Sequence, residues 1–305
     1  ALPIYLSWSH AMTSEQLRSF WDKARAELAD VPLDAQIQPW ARQPDVLAQV
    51  YDVTLTSLGG VKLRAVYAVP SCEETYPRPA LITFPGYGGD TIPLLGPALM
   101  EGCAVMTLYP RGQGPSREFW QVPNGYTKLT LGLDSPENHY YRAAYMDCLR
   151  GLDFLTSRSE VDSSRLGVCG TSQGGGLALA AAALDHRVKA CATHVPFLCA
   201  YRIAVETATT GPYLELTAHF AKHPDQRAQA LTTLEWFDPL SLATWIEAPT
   251  LISIGDLDTC CPGPTIEAMY SRLCCKRALI HYPDLVHAWR YDFRQQTSNW
   301  MNLYL

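Results

Sequence analysis

Residues 170–174 read Gly-Thr-Ser-Gln-Gly, between the apolar run 166–169 and the small-residue stretch 174–184. Gly-x-Ser-x-Gly between a buried strand and a helix is the pattern of a nucleophile elbow. A sharp strand-to-helix turn strains the serine backbone and lifts its hydroxyl into the open. Gly170 and Gly174 remove side chains that would collide across the turn. The helix start offers free N–H groups and the positive end of a dipole to a developing anion. A serine hydroxyl is a poor nucleophile until a base takes its proton. On a strand-elbow-helix framework the partners follow in the order Ser, then Asp or Glu, then His, each in a loop after a later strand. Asp258 follows the apolar run 251–254, and His287 follows the run 278–282. Asp256 competes with Asp258: it stands nearer the strand end and could instead tie the turn. His281 falls inside a strand and reads as structural. His194, after the strand that follows the elbow helix, reads as a satisfied buried histidine. An oxyanion needs two backbone donors. One is the N–H of Gln173. The other belongs to the Gly-rich loop 84–90, Phe-Pro-Gly-Tyr-Gly-Gly-Asp, where Tyr87 stands opposite the nucleophile.

These residues need a frame that gathers strand ends on one side. Two alternating runs, 49–56 and 61–69, are split by Leu58-Gly59-Gly60, an antiparallel hairpin signal. After Pro70 the runs become continuously apolar, at 80–84, 104–108, 166–169, 189–193, 249–254 and 277–282. Continuous apolarity marks strands covered on both faces, as in a parallel sheet. Helical stretches near 93–100, 137–156, 174–184, 265–273 and 289–303 alternate with them. The expected fold is α/β: an α/β-hydrolase fold, a doubly wound, mostly parallel sheet with an antiparallel N-terminal hairpin. Thr13 and Gln16 form a capping-box pattern ahead of Leu17, Phe20, Trp21, Ala24 and Leu28 at helical spacing. Residues 1–48 therefore read as an N-terminal helical extension. A crossover needs one helix, yet about fifty residues separate the strand ending at Thr193 from the one starting at Pro249, with helical patterns at 213–221 and 225–234. Residues 199–248 accordingly read as a lid insertion over the strand ends rather than an ordinary crossover, within a single domain spanning 1–305.

The chain has 305 residues, 48% hydrophobic and 18% charged. Such a length buries roughly three quarters of its unfolded surface, enough for a large core. A net charge of −6 argues against a nucleic-acid or polyanion binder. No run of 18 apolar residues exists, so no spanning helix and no membrane partner are expected. Ten cysteines occur with no Cys-x-x-Cys, and the adjacent pairs Cys260-Cys261 and Cys274-Cys275 suit bridging poorly. Free buried thiols are expected, and with them a reducing, cytoplasmic location. The start lacks the basic flank and apolar run of a secretory signal, and Ala1 could follow removal of an initiator Met or of a longer segment. Serine chemistry of this kind calls for no metal and no cofactor.

Arg111-Gly112-Gln113 with Ser116, followed by Gly-x-Ser-Gln-Gly at 170–174, resembles the cephalosporin C deacetylase and acetyl xylan esterase group, carbohydrate esterase family seven. Tyr140-Tyr141-Arg142, Val161-Asp162, Val195-Pro196-Phe197-Leu198-Cys199, Gly211-Pro212-Tyr213, Phe237-Asp238 and Asp258-Thr259-Cys260-Cys261-Pro262 extend the likeness over nearly the whole chain. The resemblance implies a serine hydrolase that removes small acyl groups, chiefly acetyl, from esters of sugars, xylo-oligosaccharides, cephalosporin C or related small alcohols. It assigns Ser172 as nucleophile, Asp258 rather than Asp256 as orienting acid, and His287 as base. It makes the N–H groups of Tyr87 and Gln173 the oxyanion donors and the Arg111 segment a structural brace. It also implies a homo-oligomer, a ring-shaped hexamer whose active sites face an inner cavity, with the hairpin near Gly59 at the interface. Aromatic walls for a sugar or β-lactam pocket are expected from Trp120, Tyr126, Tyr213 and Trp289, with Pro212 narrowing the acyl side.

Three departures stand out. The third family motif reads His287-Ala288 instead of His-Glu. Residues 262–265 read Pro-Gly-Pro-Thr where the family prefers Pro-Pro-Ser-Thr. The segment 121–138 is short. They leave open a specialised natural-product deacetylase, or an acyltransferase or perhydrolase on the same three residues. A hydrolase-fold protein that binds without turnover is the reading from another class.

Overall fold

The computed structural model describes residues 12–41, 48–71, 77–89 and 102–305. The strands are β1 Gln36–Pro39, β2 Ala48–Thr56, β3 Lys62–Pro70, β4 Arg78–Phe84, β5 Ala104–Tyr109, β6 Val161–Thr171, β7 Val188–His194, β8 Thr250–Gly255 and β9 Arg277–Tyr282. They form one nine-stranded sheet in the order β1-β2-β3-β5-β4-β6-β7-β8-β9. β1 to β3 and the β3–β5 pair are antiparallel; every pairing from β5 through β9 is parallel. This is the α/β-hydrolase architecture, and it brings the C-terminal ends of β4, β6, β7, β8 and β9 to one edge, where loops carry chemistry.

The helices are α1 Ser14–Ala29, α2 Tyr140–Thr156, α3 Gln173–Leu184, α4 Tyr201–Thr207, α5 Tyr213–Lys222, α6 Arg227–Leu234, α7 Pro239–Leu242, α8 Gly263–Arg272 and α9 Tyr291–Tyr304. The helix expected near 93–100 lies outside the described residues. α1 starts where its capping box demands: Thr13 Oγ1 accepts from Gln16 N–H at 3.2 Å, and Gln16 Oε1 accepts from Thr13 N–H at 2.8 Å. Its apolar stripe seats Trp21 against Tyr145 of α2, with ring centroids 5.5 Å apart, and Trp21 Nε1 donates to Trp236 O at 3.2 Å. The expected helical extension over 1–48 is corrected within its described residues: after α1 comes β1, which extends the antiparallel edge by pairing with residues 51–54 of β2. Its sequence, Gln-Ile-Gln-Pro, shows mostly polar side chains to solvent, so no buried face marked it as a strand.

Between β7 and β8 the chain runs through α4 to α7. This insert is fastened to the loops at the strand ends. The N–H groups of Thr209 and Thr210 donate to Thr259 O at 3.0 and 3.3 Å, beyond β8. Tyr87 beyond β4 donates from its hydroxyl to Glu215 Oε2 on α5 at 2.5 Å.

The antiparallel edge is tied to the centre by a buried ion pair. Arg111, in the loop after β5, meets Asp147 of α2 at 2.7 Å, with the Asp147 side chain fully buried. Asp147 also accepts from Arg111 N–H at 2.9 Å and from Ser57 Oγ at 2.6 Å, while Arg111 Nη2 donates to Leu58 O of the hairpin turn at 2.9 Å. Burial opposes the charge on Arg111, but Asp147 more than compensates and holds the guanidinium pKa above its ordinary value. Removing one member of such a pair typically costs about 3–5 kcal/mol because the other charge is left buried and alone.

Candidate active site

Ser172 links β6 to α3 with φ 55° and ψ −122°, a left-handed conformation that a residue with a side chain adopts only under constraint. The constraint is backbone bonding: Ser172 N–H donates to His194 O at 2.9 Å, and Ser172 O accepts from Phe197 N–H at 2.9 Å and Gly176 N–H at 3.1 Å. The two flanking glycines are demanded by space. A Cβ on Gly170 would stand 2.3 Å from Gly174, and one on Gly174 would stand 2.2 Å from Phe84 O. The elbow therefore closes only with glycine at both positions.

Two later strand ends deliver the partners. His287 Nε2 lies 3.0 Å from Ser172 Oγ, and His287 Nδ1 lies 2.7 Å from Asp258 Oδ2. The second oxygen of Asp258 accepts from the N–H groups of Cys260 and Cys261, both at 2.8 Å. The Asp258 side chain is fully buried, whereas His287 keeps 28% of its side chain exposed. Burial pushes the imidazole pKa down, but the hydrogen bond that Nδ1–H donates to Asp258, with help from Cys260, outweighs it and sets the value above that of a free histidine.

The competing residues have other occupations. Asp256 and His281 pair with each other at 3.0 Å on the surface. His194 Nδ1 bonds Ser253 Oγ, and His194 Nε2 bonds Ala288 O at 3.1 Å. Burial brings its pKa down to about 4, so the ring is neutral and Nε2–H donates. The loop bearing His287 is thus held by the main chain of Ala288.

The proposed oxyanion loops are braced from beneath. Gln113 Nε2 donates to Gly86 O at 3.0 Å, and Gln113 Oε1 accepts from Gln173 Nε2 at 2.8 Å. Gln173 Oε1 accepts from Tyr141 Oη at 2.9 Å. Gln113, Gln173 and Tyr141 are all fully buried. Gln173 opens α3, and the first N–H groups of a helix have no intrahelical partner. The Tyr87 phenol is kept protonated by burial and by its bond to Glu215, and its ring carries Lys128 Nζ 4.0 Å from the centroid. Tyr141, Glu215 and Ser253 were not singled out from sequence for these tasks. Only Tyr141 stood in a family-like segment.

The expected aromatic walls fare differently. Tyr213 is a correction: it is fully buried, packs on Phe197 with centroids 4.1 Å apart, and donates to Cys199 O at 3.2 Å. Apolar packing beneath the insert outcompeted exposure to a cleft. Trp120 lies over Gly112, where an added Cβ would come within 2.9 Å of its ring. Trp289 lines a cavity against α9 with Phe293 and Met301, which Gly170 and Thr171 of the elbow also line. Tyr126 is exposed, and Pro212 caps the start of α5.

The acetyl xylan esterase (AXE1) family model matches residues 5–303. The chain belongs to the acetyl xylan esterase family. The family is named for a carboxylic ester hydrolase activity. Among solved structures, the acetyl xylan esterase from Paenibacillus sp. R4 superposes with a TM-score of 0.88 at 34% identity, covering 96% of this chain and 100% of that one. Acetyl xylan esterase 1 from Thermoanaerobacterium sp. JW/SL YS485 matches with a TM-score of 0.88 at 27% identity, over 97% and 96% of the two chains. A curated acetyl esterase, Axe7A of Xylanibacter ruminicola, is 35% identical over 147 residues, 47% of this chain and 31% of that protein. The match to this curated relative therefore spans less than a third of its length. No helix among the described residues of this acetyl xylan esterase family member is long and apolar enough to cross a membrane.

Proposed function

We propose that this chain is a serine esterase that hydrolyses small acyl esters, chiefly acetyl, of sugars, xylo-oligosaccharides, cephalosporin C or related small alcohols. The observation that carries the reading is the row Ser172 Oγ, His287, Asp258, at 3.0 and 2.7 Å, beginning on a strained elbow. His287 Nε2 takes the Ser172 proton as Oγ bonds to the acetyl carbon. The carbonyl electron pair moves onto its oxygen, toward the N–H groups of Tyr87 and Gln173. Collapse of this intermediate breaks the bond to the alcohol oxygen, which leaves with the proton from His287. Water repeats the two steps on the acyl-enzyme and releases acetate. Asp258 keeps the Nδ1–H tautomer and balances the transient imidazolium. The α4–α7 insert acts as a lid over this chemistry.

A panel of acetyl, propionyl and butyryl esters of one chromogenic alcohol, run beside acetylated xylose and cephalosporin C, tests the reading. The expected result is a steep fall in kcat/KM beyond propionyl, with turnover of at least one acetylated natural alcohol. A preference for long acyl chains overturns it, and product set by an added alcohol or peroxide rather than by water moves the assignment to acyl transfer.

The proposal extends to assembly and compartment. Leu257, Val286, Trp289 and Tyr291 are large apolar side chains that stand between 48% and 70% exposed, on the turns after β8 and β9 and at the start of α9. Their contiguity in sequence with Asp258 and His287 favours an assembly of copies of this chain around the site mouths, a hexamer on the family pattern. Light scattering is expected to give six times the 33.8 kDa chain mass; a monomer removes this part. The buried thiols of Cys148, Cys191, Cys199, Cys260 and Cys261, none of them in a disulfide, favour a reducing compartment.

A further inference from the structure

Cys260 and Cys261, whose thiols take no step in the esterase chemistry, cluster with its base His287. One ring nitrogen of His287 and the Sγ atoms of both cysteines lie within 4.8 Å of one another. Neither cysteine is in a disulfide, and both are buried. Tetrahedral zinc, with bonds of about 2.3 Å to sulfur and 2.0 Å to nitrogen, sets its ligands about 3.5–3.8 Å apart, so the cluster needs to contract by about an ångström at most. Asp258 already orients all three residues. Its Oδ1 receives the N–H groups of both cysteines and its Oδ2 faces His287 Nδ1. A carboxylate on the far nitrogen of a histidine is the support that metal-ligating imidazoles commonly have. The sulfur of Cys260 is pressed under Gly211, where an added Cβ would stand 2.2 Å away, so the insert fixes the position of this thiol.

The geometry points to a Cys260–Cys261–His287 site for a thiophilic d10 cation, Zn2+ or its analogue Cd2+, whose occupancy switches the esterase off. On binding, the two thiols release their protons to solvent and the sulfurs donate electron pairs to the cation. With Nδ1–H committed to Asp258, the lone pair of the ring is on Nε2, which faces Ser172 Oγ at 3.0 Å. The cation and the serine proton then compete for one lone pair. A fourth position falls to solvent, which reaches the partly exposed His287. The inhibition rests on His287 being the base; the binding does not.

The test uses the full chain, with Cd2+ followed by its thiolate charge-transfer absorption and Zn2+ titrated against hydrolysis of a chromogenic acetyl ester. Inhibition is read in each variant as the ratio of rates with and without metal, so differences in basal rate cancel. In the wild type both the band and the inhibition are expected. Cys260→Ala, or Cys260→Val should Ala fail to fold, is expected to raise the inhibitory Zn2+ concentration at least about tenfold and to weaken the band. Cys274→Ala, in the other adjacent pair, leaves both in place. Ser172→Ala has no turnover but keeps the band and gains melting temperature with Cd2+. A wild type and Ser172→Ala that both lack the band overturn the site. So does a band that vanishes in Cys274→Ala, or a Cys260 variant as sensitive to Zn2+ as the wild type. A band without any esterase activity in the wild type leaves the metal site standing and removes the esterase reading instead.

Discussion

Ser172→Ala is expected to lower kcat about 10⁶-fold, to the level left by binding and the backbone donors alone. The magnitude follows from where the hydroxyl stands. His287 Nε2 is 3.0 Å away, and among the described residues no other hydroxyl is hydrogen-bonded to that nitrogen. Alanine keeps the Cβ and with it the unfavourable φ of 55°, so stability should change little. Glycine is different, because it reaches positive φ without steric cost. Ser172→Gly should be equally inactive yet up to about 1–3 kcal/mol more stable, the strain otherwise stored at such a position. Urea unfolding of the two variants, read beside single-turnover kinetics, checks both statements. An Ala variant with more than a thousandth of the wild-type rate would show that another group attacks the ester.

Asp258→Asn is expected to cost about 10⁴-fold in kcat, with Asp256→Asn nearly neutral. The asparagine amide would point N–H at His287 Nδ1 and drive the ring proton to Nε2. That tautomer cannot accept from Ser172. Asp256 meets only His281 at the surface, so its change leaves the row intact. The pair also predicts a pH effect. The active imidazole is the neutral one, and Asp258 holds its pKa above the ordinary value against the opposing effect of burial. The rising limb of kcat/KM in the wild type should therefore sit on the alkaline side of an unperturbed histidine. In Asp258→Asn the limb should move to lower pH, because the charge that stabilised the imidazolium is gone. A limb that moves up, or an Asp256→Asn loss as large as that of Asp258→Asn, contradicts the assignment.

The elbow and the histidine are legible because each stands at the end of an apolar run, and in a parallel sheet those ends meet; the runs leave Asp256 beside Asp258, and only the family resemblance separates the two. The capping box of α1 was legible because its signal is contained in four residues. What escaped had no local signature. β1 is a polar edge strand, visible only through its pairing with β2. Asp147 sits inside a helix, where an acidic residue ordinarily faces water, and its partner Arg111 is 36 positions away. Tyr213 reads as a surface aromatic near a lid, but the insert folds it inward against Phe197. The nearness of the Cys260 and Cys261 sulfurs to His287 depends on how two turns from different strands are laid together, which spacing alone does not encode.

Three consecutive residues join two distant parts of this molecule. Arg111 grips the hairpin turn through Leu58 O and α2 through Asp147, and Gln113 two positions on clamps Gly86 and Gln173. Fraying of the outer ribbon of strands is thus expected to loosen the seats of the proposed anion-binding amides while the parallel centre stays folded. Catalytic competence and global folding are separable here, and the first is forfeited by a smaller, regional opening.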